Sequence, residues 1–193
     1  IVALLVLILS YFAMSLEIDV SAETLLLEGD KDLEYSRVVS KRFQTPNNLI
    51  ITYTVKDDLL NQKNMQNIKE LSAKLLKIDT VESIDSIINV PLLQSPIRPL
   101  KELLKDIPTL ESVDINKSLV KKEFLNNPLY KNNLVSDDFL TTALSINLQK
   151  NKLRDDYHHT IISIRSILDE FLGNNKNIKL HLGGVEMITD DMV

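Results

Sequence analysis

The sequence predicts an α+β fold in which a strand–helix–strand unit occurs twice behind an apolar leading segment. Three observations carry that expectation. Two runs, LIITYTV at 49–55 and TTALSINLQ at 141–149, alternate between two faces and are rich in β-branched residues. Each is followed by a segment with apolar residues at three- and four-residue steps, and then by a second Val/Ile/Leu-rich run. The first fourteen residues, IVALLVLILSYFAM, hold no charge, proline or glycine.

Residues 1–14 reach about 21 Å as a helix, short of the ~30 Å hydrocarbon core that takes ~20 residues to cross. They are read as the C-terminal part of a transmembrane helix, with Leu4, Leu5, Val6, Leu7, Ile8, Leu9, Tyr11 and Phe12 as the membrane-embedded set. Tyr11 and Phe12 suit an interfacial aromatic belt, and the Ser10 hydroxyl can bond a backbone carbonyl. A secretory signal peptide is the competing reading, but it needs a basic region before the apolar run and a small-x-small site after it, and Ser15-Leu16-Glu17 is a poor one. Glu17, Asp19, Glu23, Glu28 and Asp30 precede the first base, Lys31. Cytoplasmic flanks are rich in Lys and Arg, so residues 15–193 are expected on the extracytoplasmic side.

Along that part, 17–27 should run extended. Asp30 is placed as the N-cap of a helix over 31–43 that packs Leu33, Tyr35, Val38, Val39 and Phe43 against a neighbour. Pro46-Asn47-Asn48 is a turn. The strand at 49–55 puts Leu49, Ile51, Tyr53 and Val55 on one face. After a turn at Asp57-Asp58, a helix over 62–77 carries an apolar stripe of Met65, Ile68, Leu71, Leu75 and Leu76, and 80–88 is a second strand. Pro91, Pro96, Pro99 and Pro108 punctuate an insertion over 91–140, with helices over 99–106 and 116–125, the latter capped by Asn116. The strand at 141–149 turns Thr142, Leu144, Ile146 and Leu148 inward. A helix over 153–172 buries Leu153, Tyr157, Ile161, Ile164, Leu168 and Phe171, and Gly173 with Asn174-Asn175 ends it in a left-handed cap. A last strand, 176–182, turns Ile178, Leu180 and Leu182 inward. Neither unit, 49–88 or 141–183, can bury its apolar face alone. Stacked together they give a four-stranded sheet with both helices on one face, the ferredoxin-like split βαβ arrangement.

Composition excludes several functions. The net charge of −5 implies no basic face, so nucleic acid is not an expected partner. Without cysteine there is no disulfide, thiolate metal site or cysteine nucleophile. Four glycines, of which only Gly183 and Gly184 are adjacent, support neither a phosphate-binding loop nor a dinucleotide fingerprint. Asp155 and His159 stand one helical turn apart and could share a metal, but two ligands are too few, and with His158 they read better as a solvated polar face. Asp137-Asp138 and Asp190-Asp191 lie in no cation-binding loop; the first pair reads as the turn into a strand, the second as lying at the membrane surface. No serine occupies a nucleophile elbow. No enzymatic activity, cofactor or metal is expected.

Several short segments carry a family resemblance. Ser21-Ala22-Glu23 through Leu26-Leu27-Glu28-Gly29-Asp30, with Tyr35 and Phe43, resembles the start of the first extracytoplasmic loop of resistance-nodulation-division (RND) exporters. Val81-Glu82-Ser83-Ile84-Asp85-Ser86, then Asn127-Pro128-Leu129 with Leu134-Val135-Ser136-Asp137-Asp138 and Thr141-Thr142, and Gly183-Gly184-Val185 before a second membrane helix, are similar to the lipid- and hopanoid-exporting MMPL-like branch. One departure is Gln44, where the family often has glycine. The resemblance implies a porter-type domain between transmembrane helices one and two of a proton-driven exporter of hydrophobic or lipid-like substrates, in a bacterial inner membrane with the soluble part on the periplasmic side. The family's proton-relay acids lie in later helices, outside this chain. Implied partners are membrane lipid, the remaining transmembrane helices and the second porter loop of the same protein, with homo-oligomers through an unpaired sheet edge. The alternatives are an extracytoplasmic interaction domain of an ABC-type permease or other membrane-anchored protein, and a tethered sensor domain.

Overall fold

A computed structural model describes residue 6, residues 30–43, 48–97, 99, 101, 105, 107–112, 115–150 and 154–191. The chain divides into two compact units, residues 1–44 with 191–193, and residues 45–190. Among the described residues, no helix is long and apolar enough to cross a membrane.

In the first unit the described element is α1, Lys31–Phe43. Asp30 caps it, its Oδ1 accepting the Asp32 amide at 2.8 Å. Leu33 is buried, whereas Tyr35 and Val38, expected to pack beside it, are exposed. The reason is angular. At about 100° per residue, Tyr35 and Val38 point roughly 160° and 140° away from Leu33, so the three never formed one stripe. Of the expected membrane-embedded residues only Val6 is described, helical and exposed. Leu4, Leu5, Leu7, Ile8, Leu9, Tyr11 and Phe12, like the extended segment 17–27 and most of the helix expected at 99–106, lie outside the described residues.

The second unit is built on an antiparallel sheet of β1 (Asn48–Thr54), β2 (Val81–Asp85), β3 (Thr141–Leu148) and β4 (Lys179–Gly183), in the order β2-β3-β1-β4. The register makes the alternation count. Leu49 lies opposite Ile146, Ile51 opposite Leu144 on one side and Leu182 on the other, and Tyr53 opposite Thr142 and Leu180. Apart from the exposed Ile50 and the small Ala143, which fall on the other face, the apolar positions of the central strands therefore land on one face, as a period of two requires. Leu49, Ile51, Tyr53, Leu144, Ile146 and Leu148 are fully buried there. The opposite face carries Thr52, Thr54, Ala143, Ser145 and Asn147, all part-exposed.

Two helices complete this core. The first, α2 (Gln62–Leu75), buries Ile68, Leu71 and Leu75, with its N-cap Asn61 accepting the Asn64 amide at 2.7 Å. α4 (Arg154–Asn174) buries Ile161, Ile164, Leu168 and Phe171. The helices pack together, and Lys74 bonds Glu170 at 2.7 Å across the seam. That ammonium holds the exposed Glu170 carboxyl below its ordinary range, first through the hydrogen bond and then through its charge. Between the two units of repeat, α3 (Lys117–Asn126) starts at Asn116, whose Oδ1 accepts the Ser118 and Leu119 amides. Its buried Glu123 ties the insertion down by accepting the Leu93 amide at 2.7 Å and the Gln94 amide at 3.1 Å, while Phe124 stacks edge-on against Tyr130 at 5.3 Å.

Several boundaries differ from expectation: β4 begins at Lys179 rather than 176, α2 ends at Leu75 rather than 77, and two others have a visible cause. β2 stops at Asp85 rather than running to 88, because Asn89 folds back: its Oδ1 accepts the Ser86 amide and its Nδ2 donates to the Ile84 carbonyl. α4 continues through Gly173 to Asn174. The last carbonyls are satisfied by side chains instead of by a left-handed glycine, Asn174 Nδ2 donating to Glu170 and Asn175 Nδ2 to Phe171. The chain closes with α5, Val185–Asp191.

Candidate functional site

At the end of the sheet where β1 finishes and β4 starts, a cavity of about 530 Å³ opens. One wall is the β1–α2 loop with the first turns of α2; the other is the end of α4 and the turn into β4. They meet because Thr54 pairs with Lys179, which brings segments more than a hundred positions apart in the chain to the same place. Three lysines line the cavity, Lys56, Lys63 and Lys176. None has an ion-pair partner among the described residues. The one carboxylate in the lining, Asp57, is engaged by carboxamides: Oδ1 accepts from Asn64 Nδ2 at 3.0 Å and Oδ2 from Asn61 Nδ2 at 2.7 Å.

The floor is a polar network over the end of the core. The buried Asn64 also donates to the Asp58 carbonyl at 2.8 Å and accepts from the Tyr53 hydroxyl at 3.3 Å. Asn67 donates to the same hydroxyl at 3.3 Å and to Asn175 Oδ1 at 3.4 Å. Burial pushes the Tyr53 phenol above its ordinary range; the Asn67 bond opposes that and the Asp57 charge adds to it. Tyr53 is therefore a neutral donor at neutral pH, a structural pin for the cavity floor. The opposed helix ends cancel much of each other's field, since the start of α2 is positive and the end of α4 negative. The lysines decide the sign.

The other candidate residues stand apart. His158 reaches Asp190 across 32 positions, Nδ1 to Oδ1 at 2.6 Å, linking α4 to α5; its neighbour His159 is exposed. The Asp155 side chain lies outside the described residues. No group of three His, Asp or Glu able to hold a metal occurs among the described residues. Asp138 shapes the turn into β3, accepting from Ser136 Oγ at 2.5 Å and from the Leu140 amide at 3.0 Å. Those two bonds, the hydroxyl's first, hold its carboxyl below the usual range. Sequence reasoning missed the cavity. Its signal is Asn174-Asn175-Lys176-Asn177, a polar run longer than a helix end requires.

The opposite end of the β1–β4 pair is closed. Gly184 sits at φ +131°, and a Cβ there would meet the Asn48 carbonyl oxygen at 2.9 Å and Leu49 Cα at 3.1 Å. Only glycine fits that conformation and that approach. Gly183 beside it has open space around its Cα hydrogens. The glycine pair noted in the sequence thus divides into one required residue and one tolerant one.

Compared with known proteins, the chain finds no match among curated sequences. The family model described as the MMPL family matches residues 28–193, a span that takes in α1, all four strands and the glycine pair. Over most of its length, then, the chain belongs to the MMPL family, which points to a membrane exporter of the RND superfamily.

Proposed function

We propose that this chain is the extracytoplasmic, porter-type domain of a proton-driven exporter of hydrophobic or lipid-like substrates, held by a transmembrane helix that ends in residues 1–14. The observation that carries the reading is the family match over residues 28–193. The sheet supports it. The order β2-β3-β1-β4 with antiparallel pairing throughout, and a helix between the strands of each unit, is what a ferredoxin-like split βαβ arrangement requires. The acidic flank before Lys31 favours the periplasmic side of a bacterial inner membrane.

In this reading the domain performs no catalytic step and needs no cofactor or metal. It shapes the path outside the membrane while the proton-relay acids act in membrane helices beyond this chain. Its partners are membrane lipid, the other transmembrane helices and the second porter loop. The edges of the sheet, β2 and β4, are where a second copy or a neighbouring domain adds strands. The test is transport by the complete protein in proteoliposomes loaded with a fluorescent amphipathic cargo. An imposed pH gradient should drive cargo movement, and a protonophore should stop it. Transport that persists without the gradient, or that needs ATP, contradicts the reading.

A further inference from the structure

We infer that the cavity between the β1–α2 loop and the α4–β4 turn is a binding site for a phosphate ester with a hydroxylated organic part. Lys56, Lys63 and Lys176 line it without ion-pair partners among the described residues, and Asp57 is the one carboxylate facing them. Three positive charges against one negative leave the lining at +2, in a chain whose overall charge is −5. A concentration of cations against the sign of the whole molecule favours anions at this place. A phosphate monoester carries −1.5 to −2 near neutral pH, as on phosphoserine, which matches the cavity's charge.

Size and lining define the rest of the ligand. About 530 Å³ is far more than a bare phosphate fills, and it lies in the range of small-molecule pockets, ~300–1,000 Å³. Five asparagines stand in the lining and Ile178 is its one aliphatic side chain, which suits a polar ligand better than an acyl chain. Among the described residues, the Asn67 side-chain oxygen and the Asn177 side chain have no hydrogen-bond partner. Asn67 can accept from a ligand hydroxyl, and Asn177 can donate to one or accept from it. The floor beneath is pre-organised by the Tyr53–Asn64–Asp57 network, so binding orders little besides the lysine side chains. The ligand is chemically unlike the apolar cargo assigned to the exporter, and the inference does not depend on that assignment.

The experiment is a titration of the 193-residue chain with sodium phosphate and with glycerol 1-phosphate, ionic strength being held constant with sodium chloride and the amides of 56–67 and 173–178 followed by NMR. Saturable shifts confined to those amides are expected, with glycerol 1-phosphate binding more tightly than phosphate. The triple variant Lys56→Gln, Lys63→Gln, Lys176→Gln should raise Kd about tenfold, since each exposed charge pair is worth a few tenths to one kcal/mol. Its melting temperature should be unchanged. Lys63→Glu alone gives a second check, with binding lost and the fold kept. Vesicles separate the two sources of such a group. Lysine-dependent binding to phosphatidylglycerol and not to phosphatidylcholine assigns a lipid headgroup; binding of glycerol 1-phosphate without vesicle binding assigns a soluble ester. No saturable response to either phosphate compound, or one that the triple variant retains, overturns the inference.

Discussion

The two ends of the β1–β4 pair are built on opposite terms. At one end Gly184 presses its backbone against Asn48 and Leu49, closely enough that even a methyl group is excluded. At the other, the same two strands open onto a cavity of about 530 Å³ walled by lysines and asparagines. The closed end is held by backbone shape and by the buried Leu49 next to it. The open end is held by hydrogen bonds from below and leaves its charges unspent. The contrast separates residues that make the fold from residues the fold does not need.

The sharpest way to break the comparison is at the closed end. Gly184→Ala combines a disfavoured φ with a backbone clash and should cost about 2–3 kcal/mol in urea unfolding. Gly183→Ala, with nothing within contact distance, should cost much less. Equal losses at the two glycines would show that close approach is not what closes this end. Next in size is Asn64→Ala, which removes the bonds to Asp57, Asp58 and Tyr53 beneath the cavity. It should cost about 1–3 kcal/mol and loosen amide protection in residues 56–64, whereas protection in β2 should stay as it was.

This contrast also marks what was legible in the sequence. The alternation of 49–55 and 141–149 fixed the strands and their inward faces, because a period of two leaves little freedom once one face is apolar. The asparagine caps at 61 and 116 and the aspartate cap at 30 are local chemistry, and Asn116 and Asp30 were readable as such. Three things were not. The role of Gly184 depends on where Asn48 lies, which is a contact made only when β1 and β4 pair. The bond between His158 and Asp190 joins two helices whose packing no local pattern encodes. The cavity gathers Lys56, Lys63 and Lys176 from distant segments, and each by itself reads as an ordinary solvated charge. Asn174 misled in a simpler way: a glycine beside two asparagines suggests a left-handed stop, but the asparagine side chains cap the carbonyls directly and make it unnecessary.

A smaller effect lies just beyond the closed end. Burial raises the Glu186 carboxyl above its ordinary range in α5. The folded state therefore keeps that proton at pH values where the unfolded chain has released it, so this group adds stability as pH falls from neutral through its folded value. Asp138 and Glu170, held low by Ser136 and Lys74, act in the other direction and lose their contribution as pH falls further, through their own folded values. Stability followed by urea midpoint across pH 7 to 3 should show a slight rise before the acid loss, and Glu186→Gln should remove the rise alone. Smallest of all is Lys63→Gln at the open end. It should change stability by no more than ~0.5 kcal/mol, because an exposed lysine without an ion pair holds nothing in place. A larger loss would mean that the cavity's charges serve the fold after all.

The side of the membrane on which this domain works is open to one direct measurement. The chain contains no cysteine, so Leu129→Cys, 67% exposed, and Ile51→Cys, fully buried, provide a reporter and its control in the complete protein. The account predicts that a membrane-impermeant maleimide reaching the periplasm of intact cells labels position 129 and spares position 51. Labelling of position 129 only after the inner membrane is ruptured would contradict it.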